Sequence, residues 1–587
     1  MKKIHLFFTY CILVFGILSS CSEDDSEQKM SSDAYILKVE AKTDVGTIPL
    51  PIIGDNILIN IPESVNLKTV SISIELSSGA LISPEPSEIR DWSYKHTFTV
   101  TAQNGDMRTY YTLPQTENIG KEFYGSVRLS SQQEIDGFGS NGFSSVGDIY
   151  IFQGSGEDKI TDFSALNSIK EIKGQLVINR VNCREVTFSN IERLGKLIFH
   201  APAVTELRMP KLKSVADNLT LGVVEENSLP EPIADFTDID FSSLEYVGGS
   251  LEFNYLTKLA SLESLSNLSY IGKDLTLIGG YYSSLKGLEK IKRLNGTMTL
   301  SAEKTSLEGF NIEEIKGSLI VNNLESAPSL EPLSTLKHIE GELYLAGNLN
   351  VTSLKGIENI DVDYLSINFF YGLESLEGIP LKKEFGNLVL VTLPKVKSLQ
   401  NLSSLKKITH SLRIVELAQL TDLQGLENLV ATGNLIIQHN LGLTKFNGLS
   451  NNLEINGYLD VTNCPKITDL EGLEALTSLG GLRLRSLEGL TSLKGLENIT
   501  NITLGGVFVE NNNTLTDISA LAKLQDINFY QQSDKMVFNR NRNLTDFCPI
   551  SSLLQRYLPI DRVVLSGNAY NPNVTDFVEG RCSVDIK

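Results

Sequence analysis

Two spacings of apolar residues alternate along most of the chain. In GYLDVTNCPKITDLEGLEALTSLGG, residues 457–481, Leu459 and Val461 lie two apart, the spacing of a strand with one buried face. Ile467, Leu470, Leu473, Leu476 and Leu479 then follow at intervals of three. An α-helix repeats every 3.6 residues, so a strict three drifts off any single helical face over this length. Gly472 interrupts the run and would cost about 1 kcal/mol relative to alanine in a helix interior. The pattern predicts one strand followed by short turns, each burying one aliphatic side chain.

The same phrase recurs. The first inward strand residue of successive copies is Leu251, Leu275, Met298, Leu319, Leu343, Leu365, Leu388, Leu412, Leu435, Leu459 and Leu482, at gaps of 21 to 24 residues. Val127, Ile149, Leu176, Leu197 and Leu219 extend the series upstream with looser gaps; Val507, Met536 and Val563 extend it downstream. One copy cannot bury its apolar side alone, so the copies must stack as a solenoid. About 17 coils at roughly 4.8 Å per strand would form a parallel sheet roughly 80 Å long. The fifth residue after the aligned position is Asn348, Asn440, Asn512, Asn541 or Asn568 in five copies, and Cys464 in another. A buried Asn stack would cap backbone groups left unpaired by a tight turn. The alternative is that these residues only favour turns.

Residues 31–116 read differently. ILKVEA, NILINIP, VSISIEL and KHTFTVTAQ alternate as strands with one exposed face, and FTVTAQNGDMRTYYTL is a hairpin candidate around Asn104-Gly105. The expectation is a small β-sandwich, with Trp92, the single tryptophan, in its core rather than in a ligand site. The fold class expected for the whole chain is mainly β, a small N-terminal sandwich followed by a long leucine-rich solenoid over residues 117–587.

The stretches GNLIIQHNLGLTKFNGL, GVFVENNNTLTDISAL and GELYLAGNLNVTSLKGIENI resemble the receptor L domain class of leucine-rich repeats. The resemblance covers roughly residues 120–587. It implies a right-handed β-solenoid that works by binding, and it leaves the ligand open. The chain departs from the pattern at GVVEENSLPEPIADFTDIDF, an insertion after the Leu219 coil, and again between Val507 and Val563, where the gaps lengthen to 29 and 27. The first domain resembles the cadherin-like sandwiches found near the lipid end of bacterial surface lipoproteins, on the phrase TVTAQNG, and is expected to act as a spacer.

MKKIHLFFTYCILVFGILSSC has the basic start and apolar run of a signal peptide, residues 1–20. Leu18-Ser19-Ser20-Cys21 resembles a lipobox, which implies lipidation of Cys21. Several acyl chains on one cysteine would anchor the protein firmly, where one chain is marginal. The acidic tether at 21–30, with SEDDSE, is similar to the export tag of Bacteroidota-type surface lipoproteins; a solvated charged linker is the alternative. The expected location is the outer membrane, lipid-anchored and surface-exposed. A net charge of −20 argues against nucleic acid, whose phosphates demand Lys and Arg.

Cys11 leaves with the signal, and Cys183 and Cys464 read as buried thiols. Cys548 and Cys582 lie 34 apart in the last irregular coils. They are either a disulfide, which export permits and a solenoid end would use, or two free thiols.

GFGSNG at 137–142 lacks the strand-before, helix-after context of a dinucleotide site, because VGDIYIF follows as another strand. His410 and His439 occupy different offsets on adjacent coils, and no metal, cofactor or catalytic set is expected. Residues one and three places after the aligned position should point outward. Those rows are polar at Glu252, Asn254, Thr299, Ser301, Asp460 and Thr462. They turn apolar in the middle of the solenoid at Ile320, Tyr344, Val389, Val391, Val415 and Ile436, with Arg413 among them. A solvated sheet face should be polar, so these seven residues form the candidate ligand face. The alternatives are that another segment covers them, or that β-branched residues simply suit strands. The first functional reading is a non-catalytic surface binding or adhesion module for a protein or glycan. The second is a glycan-binding accessory of a polysaccharide uptake system. The third is a hydrolase using a carboxylate pair.

Overall fold

The computed structural model describes residues 31–584 apart from 44–45, 54, 60, 62–64, 115–121, 154–157, 223–235, 302–304, 324, 326 and 559–560. The expected signal peptide, Cys21 and the acidic tether lie outside the described residues, as does most of the insertion after Leu219. The chain divides into two units, Met1–Gly120 and Lys121–Lys587.

The first unit packs two sheets face to face. Strands β1 (Ile36–Thr43), β2 (Gly46–Pro49) and β5 (Ser71–Leu76) form one, in the order β2-β1-β5. Strands β3 (Ile52–Ile53), β4 (Asn56–Ile59), β6 (Leu81–Ser83), β7 (Thr97–Thr101) and β8 (Met107–Pro114) form the other, in the order β3-β4-β8-β7-β6. Alternation puts Val39 and Ala41 of β1, Ile57 and Ile59 of β4, and Phe98 and Val100 of β7 in the shared core. Trp92 is 1% exposed and stacks on Phe98 with ring centroids 6.1 Å apart. The ring therefore belongs to the core, as its sequence context suggests. Asn104-Gly105 does lie in the β7–β8 hairpin, within a loop closed by the Ala102 N–H donating to the Asp106 carbonyl.

The second unit is a β-solenoid of about 18 turns. Its register follows the aligned leucines without a slip. Leu219 pairs with Leu251, Leu251 with Leu275, Leu275 with Met298, and so on through Leu435–Leu459 and Leu459–Leu482 to Met536–Val563. These pairings are parallel, and from Ile149 onward every aligned residue is buried. Upstream of the aligned residue many coils carry a second inward position, such as Ile408, Ile455 or Leu479, separated from it by an irregularity in the ladder. The spacing-of-three run does form short turns: Ile467, Leu470, Leu473 and Leu476 are each buried, and Leu479 opens the next strand. Gly472 has φ +105°, a conformation that side chains resist, and its N–H donates to the Glu474 carboxylate at 3.0 Å. This explains why G-L-E recurs as a unit.

The Asn positions form a buried, interlocked ladder. Asn440 Nδ2 donates to the Ile414 carbonyl at 2.8 Å, and its Oδ1 accepts from the Leu417 N–H at 2.9 Å. Asn512 bonds to Leu484 and Leu487 in the same way. Each amide thus clips the turn of the preceding coil. Asn348 is buried too: its Nδ2 donates to the Ala327 carbonyl of the preceding coil at 3.1 Å, while its Oδ1 accepts from the Asn350 N–H within its own turn at 2.8 Å. Short helices, absent from the repeat pattern, lie near the two ends of the coil series: Gln132–Gly139 near its start, and Ser551–Tyr557 and Val574–Val578 near its end. Cys548 and Cys582 form a disulfide with Cα atoms 4.9 Å apart, while Cys183 and Cys464 are free and buried.

Candidate functional site

Parallel in-register pairing turns each strand offset into a row running along the solenoid. One place after the aligned residue, the row reads Ile320, Tyr344, Ser366, Val389, Arg413, Ile436, Asp460, Arg483, Phe508. Three places after it, Val391 pairs with Val415, which pairs with Gln438. All seven residues expected on the ligand face are therefore on one sheet face, half-buried by their neighbours. The structure joins Ile320 to Tyr344, Val389 to Arg413 to Ile436, and Val391 to Val415. It separates Tyr344 from Val389 by Ser366, which is 5% exposed. Arg413 lies between two aliphatic neighbours, and its Nε is buried with no hydrogen-bond partner.

The same row continues into a cleft that the sequence reading missed. Tyr458 stands one place before Leu459, on the outward face. The residue paired with it in the next coil is Gly481, and a Cβ there would overlap the Tyr458 ring; the same holds at Gly505. Glycines in two successive coils thus give the ring room to lie along the solenoid, where its hydroxyl accepts from the Gly506 N–H at 3.3 Å. The Arg483 guanidinium sits over this ring, 4.0 Å from its centroid, and 5.6 Å from that of Phe508. Arg485 also approaches Phe508, at 5.7 Å, but it is paired with Glu510 through Nε at 2.9 Å. Arg483 makes no hydrogen bond and no ion pair among the described residues, and its Nε is buried without a partner.

The far wall is the segment 528–535, which occupies the long gap between Val507 and Met536. Gln531, Ser533 and Asp534 line the cleft from that side and exposed Leu504 forms a lip, enclosing about 330 Å³. The wall is tied down. Arg562 Nη1 donates to the carbonyls of Gln531, Gln532 and Asp534 at 3.0, 3.1 and 3.1 Å. The Gln531 N–H donates to Asp534 Oδ2 at 2.6 Å. Tyr530 in the same segment is 74% exposed. The cleft therefore offers two aromatic rings and an unpaired cation on the sheet, facing a carboxylate, an amide and a hydroxyl on the wall that Arg562 holds. Such a mix of apolar surface and a few fixed polar groups suits a small polar ligand with apolar faces. Among the described residues, no three of His, Cys, Asp and Glu converge as metal ligands.

Three features of the sequence bear on the cleft: a tyrosine at a position that in the other coils is small or polar except at Tyr364, glycines following it one and two coils on, and the 29-residue gap. Arg483 and Phe508 continue the row of Asp460, and Arg485 and Glu510 that of Thr462, beyond the polar positions named from the sequence.

Residues 39–113 match the family described as SGBP, N-terminal. No curated protein matches the chain. The matched residues lie within the sandwich, and the match together with the β-solenoid fits a Bacteroidota-type surface protein.

Proposed function

We propose that this protein is a non-catalytic glycan-binding protein of the outer membrane, serving a polysaccharide uptake system. The observation that carries the reading is the match of residues 39–113 to SGBP, N-terminal, a name that denotes surface glycan-binding proteins. The sandwich core is filled by Trp92 and Phe98, so the first domain serves as a spacer and the solenoid meets the ligand. The receptor L-like repeat is a binding scaffold on this account, with the Tyr458–Arg483–Phe508 cleft as its glycan site and the row from Ile320 to Ile436 as its continuation. Aromatic rings pack against the apolar C–H faces of sugars, and fixed carboxylate, amide and hydroxyl groups meet their hydroxyls. Lipid on Cys21 would hold the chain at the membrane. A net charge of −20 disfavours binding through the body of the protein to anionic lipid.

The test is binding of the purified protein to an array of polysaccharides, with release of reducing ends measured in parallel. Saturable binding to a glycan class without new reducing ends is the expected result. Cleavage would return the carboxylate-pair hydrolase, and absence of any glycan binding would overturn the reading in favour of a protein ligand.

A further inference from the structure

The state of Arg483 is more specific than a general sugar site requires. Its guanidinium is stacked on Tyr458, and stacking uses only one face of the planar group. The N–H donors lie in the plane, and none meets a carboxylate, carbonyl or hydroxyl among the described residues; Nε is buried, which leaves the two terminal nitrogens as the pair for a ligand. An unmet charged donor at the edge of a cleft is unfavourable until an acceptor arrives. Neighbouring charges are engaged elsewhere. Arg485 is held by Glu510, Lys535 faces Asp561 at 4.0 Å, and Asp534 is held by the Gln531 amide. Asp460 is paired with Arg483 in the sheet but turns its Oδ1 to the Thr462 hydroxyl at 2.8 Å, and no ion pair joins it to Arg483. The sheet thus presents a guanidinium that its own carboxylates leave open, on a chain whose net charge is −20.

We propose that the Tyr458–Arg483–Phe508 cleft binds a uronate-bearing polysaccharide, with the sugar carboxylate on the Arg483 guanidinium. The planar fork of N–H donors matches a carboxylate in two parallel bonds. The sugar ring lies against Phe508 and the edge of Tyr458, and its hydroxyls reach Gln531, Ser533 and Asp534. A second unpartnered guanidinium fits an extended ligand. Arg413 stands in the same row, three coils away, or about 14 Å at the strand spacing of a parallel sheet. Its Nε also has no partner. Asp460 lies between the two, so anionic groups of the chain sit at Arg413 and Arg483 and its hydroxyls at Asp460. This inference rests on the glycan-binding reading and names the class of glycan.

The experiment is titration calorimetry of the whole protein with an oligogalacturonate, with the same oligosaccharide methyl-esterified on its carboxyls, and with a sulfated polysaccharide. Tight binding of the acid, little binding of the ester, and a loss of about tenfold or more for Arg483→Gln at unchanged melting temperature are expected. Arg413→Gln should weaken the long oligosaccharide and leave the disaccharide unaffected. Equal binding of acid and ester would overturn the inference while leaving a glycan-binding protein. So would undiminished binding by Arg483→Gln, or equal affinity for the sulfated chain. Failure of every saccharide, neutral ones included, would instead remove the functional reading on which it rests.

Discussion

The Asn512 backbone N–H donates to Oδ1 of Asn541, one coil further on, at 3.0 Å. Asn541 repeats the gesture: its own N–H donates to Oδ1 of Asn568 at 3.0 Å, and its Nδ2 donates to the Val509 carbonyl at 2.9 Å. A coil cannot satisfy these turn groups by itself, because the residue before each ladder position is in the left-handed region, as at Asn511 and Arg540. The ladder therefore couples neighbouring coils through buried polar groups as well as through leucines.

Asn541→Ala should destabilise the solenoid by about 3–4 kcal/mol, because it strands the Asn512 N–H and the Val509 carbonyl in a dry interior. Urea unfolding of the variant against the parent protein measures this. A loss below about 1 kcal/mol would mean that water reaches the ladder.

Cys464 occupies a ladder position with the weaker substitute. Its thiol points to the Ile437 carbonyl at 3.8 Å, the carbonyl that an Asn there would reach through Nδ2. Cys464→Asn should add about 1 kcal/mol of stability. Burial pushes the Cys464 thiol up to about 11, against hydrogen bonding from Asn440 that lowers it. Burial likewise raises Cys183 to about 11. A thiol raised in the folded state favours folding below its ordinary value near 9, and that contribution is lost as pH climbs toward 11. Alkylation at pH 8 should accordingly modify neither thiol in the native protein and both in denaturant. Rapid native labelling of Cys464 would show that its coil opens.

Leu459 is fully buried between Leu435 and Leu482. Leu459→Asp places an unpaired carboxylate there and should cost several kcal/mol. The neighbouring outward position should be far more tolerant: Thr462→Ser should change stability by less than about 0.5 kcal/mol. A reversal of this order would require the strand to be shifted by one residue.

The period of the repeat was legible because every coil solves the same burial problem with the same spacing, so that nineteen positions from Val127 to Val563 could be aligned by eye. The sandwich was legible through two-residue alternation. The cleft was not, since it depends on what adjacent coils do to one another. Tyr458 lies flat only because Gly481 and Gly505 follow it, and the overlap that a side chain at either would make with the ring is seen only when the coils are stacked. Arg483 looks like any outward arginine in a strand until its lack of a partner is seen in three dimensions. The long gap before Met536 was visible, but its role as a wall depends on Arg562, 28 to 31 residues away in sequence from the carbonyls it holds.

The proposed anchor lies outside the described residues. Lipid attachment at a lipobox requires the cysteine thiol, which on the proposed reading is that of Cys21. Cys21→Ser should therefore abolish incorporation of labelled palmitate and release the protein from the outer-membrane fraction. Persistence of both labelling and membrane partitioning would reassign the anchor.

Arg562 provides the sharpest separation of binding from stability. It contacts no part of the proposed saccharide, yet its Nη1 holds three carbonyls of the wall, and its guanidinium lies 5.5 Å from the Phe529 ring centroid. These bonds are partly exposed, so Arg562→Ala should cost only about 1–2 kcal/mol of overall stability. The effect on the cleft should be larger in proportion. Without the clamp, the segment 528–535 loses its fixed conformation, and Gln531, Ser533 and Asp534 must be ordered anew each time a ligand binds. Amide hydrogen exchange should accelerate in that segment and not in the strand Glu454–Thr462. Affinity for the bound glycan should fall about tenfold, chiefly through faster release. Arg562→Lys, with one compact ammonium in place of the fork, should fall between the two. Unchanged affinity in the face of accelerated exchange would show that the wall stands apart from the binding site, and would leave Tyr458, Arg483 and Phe508 as its whole extent.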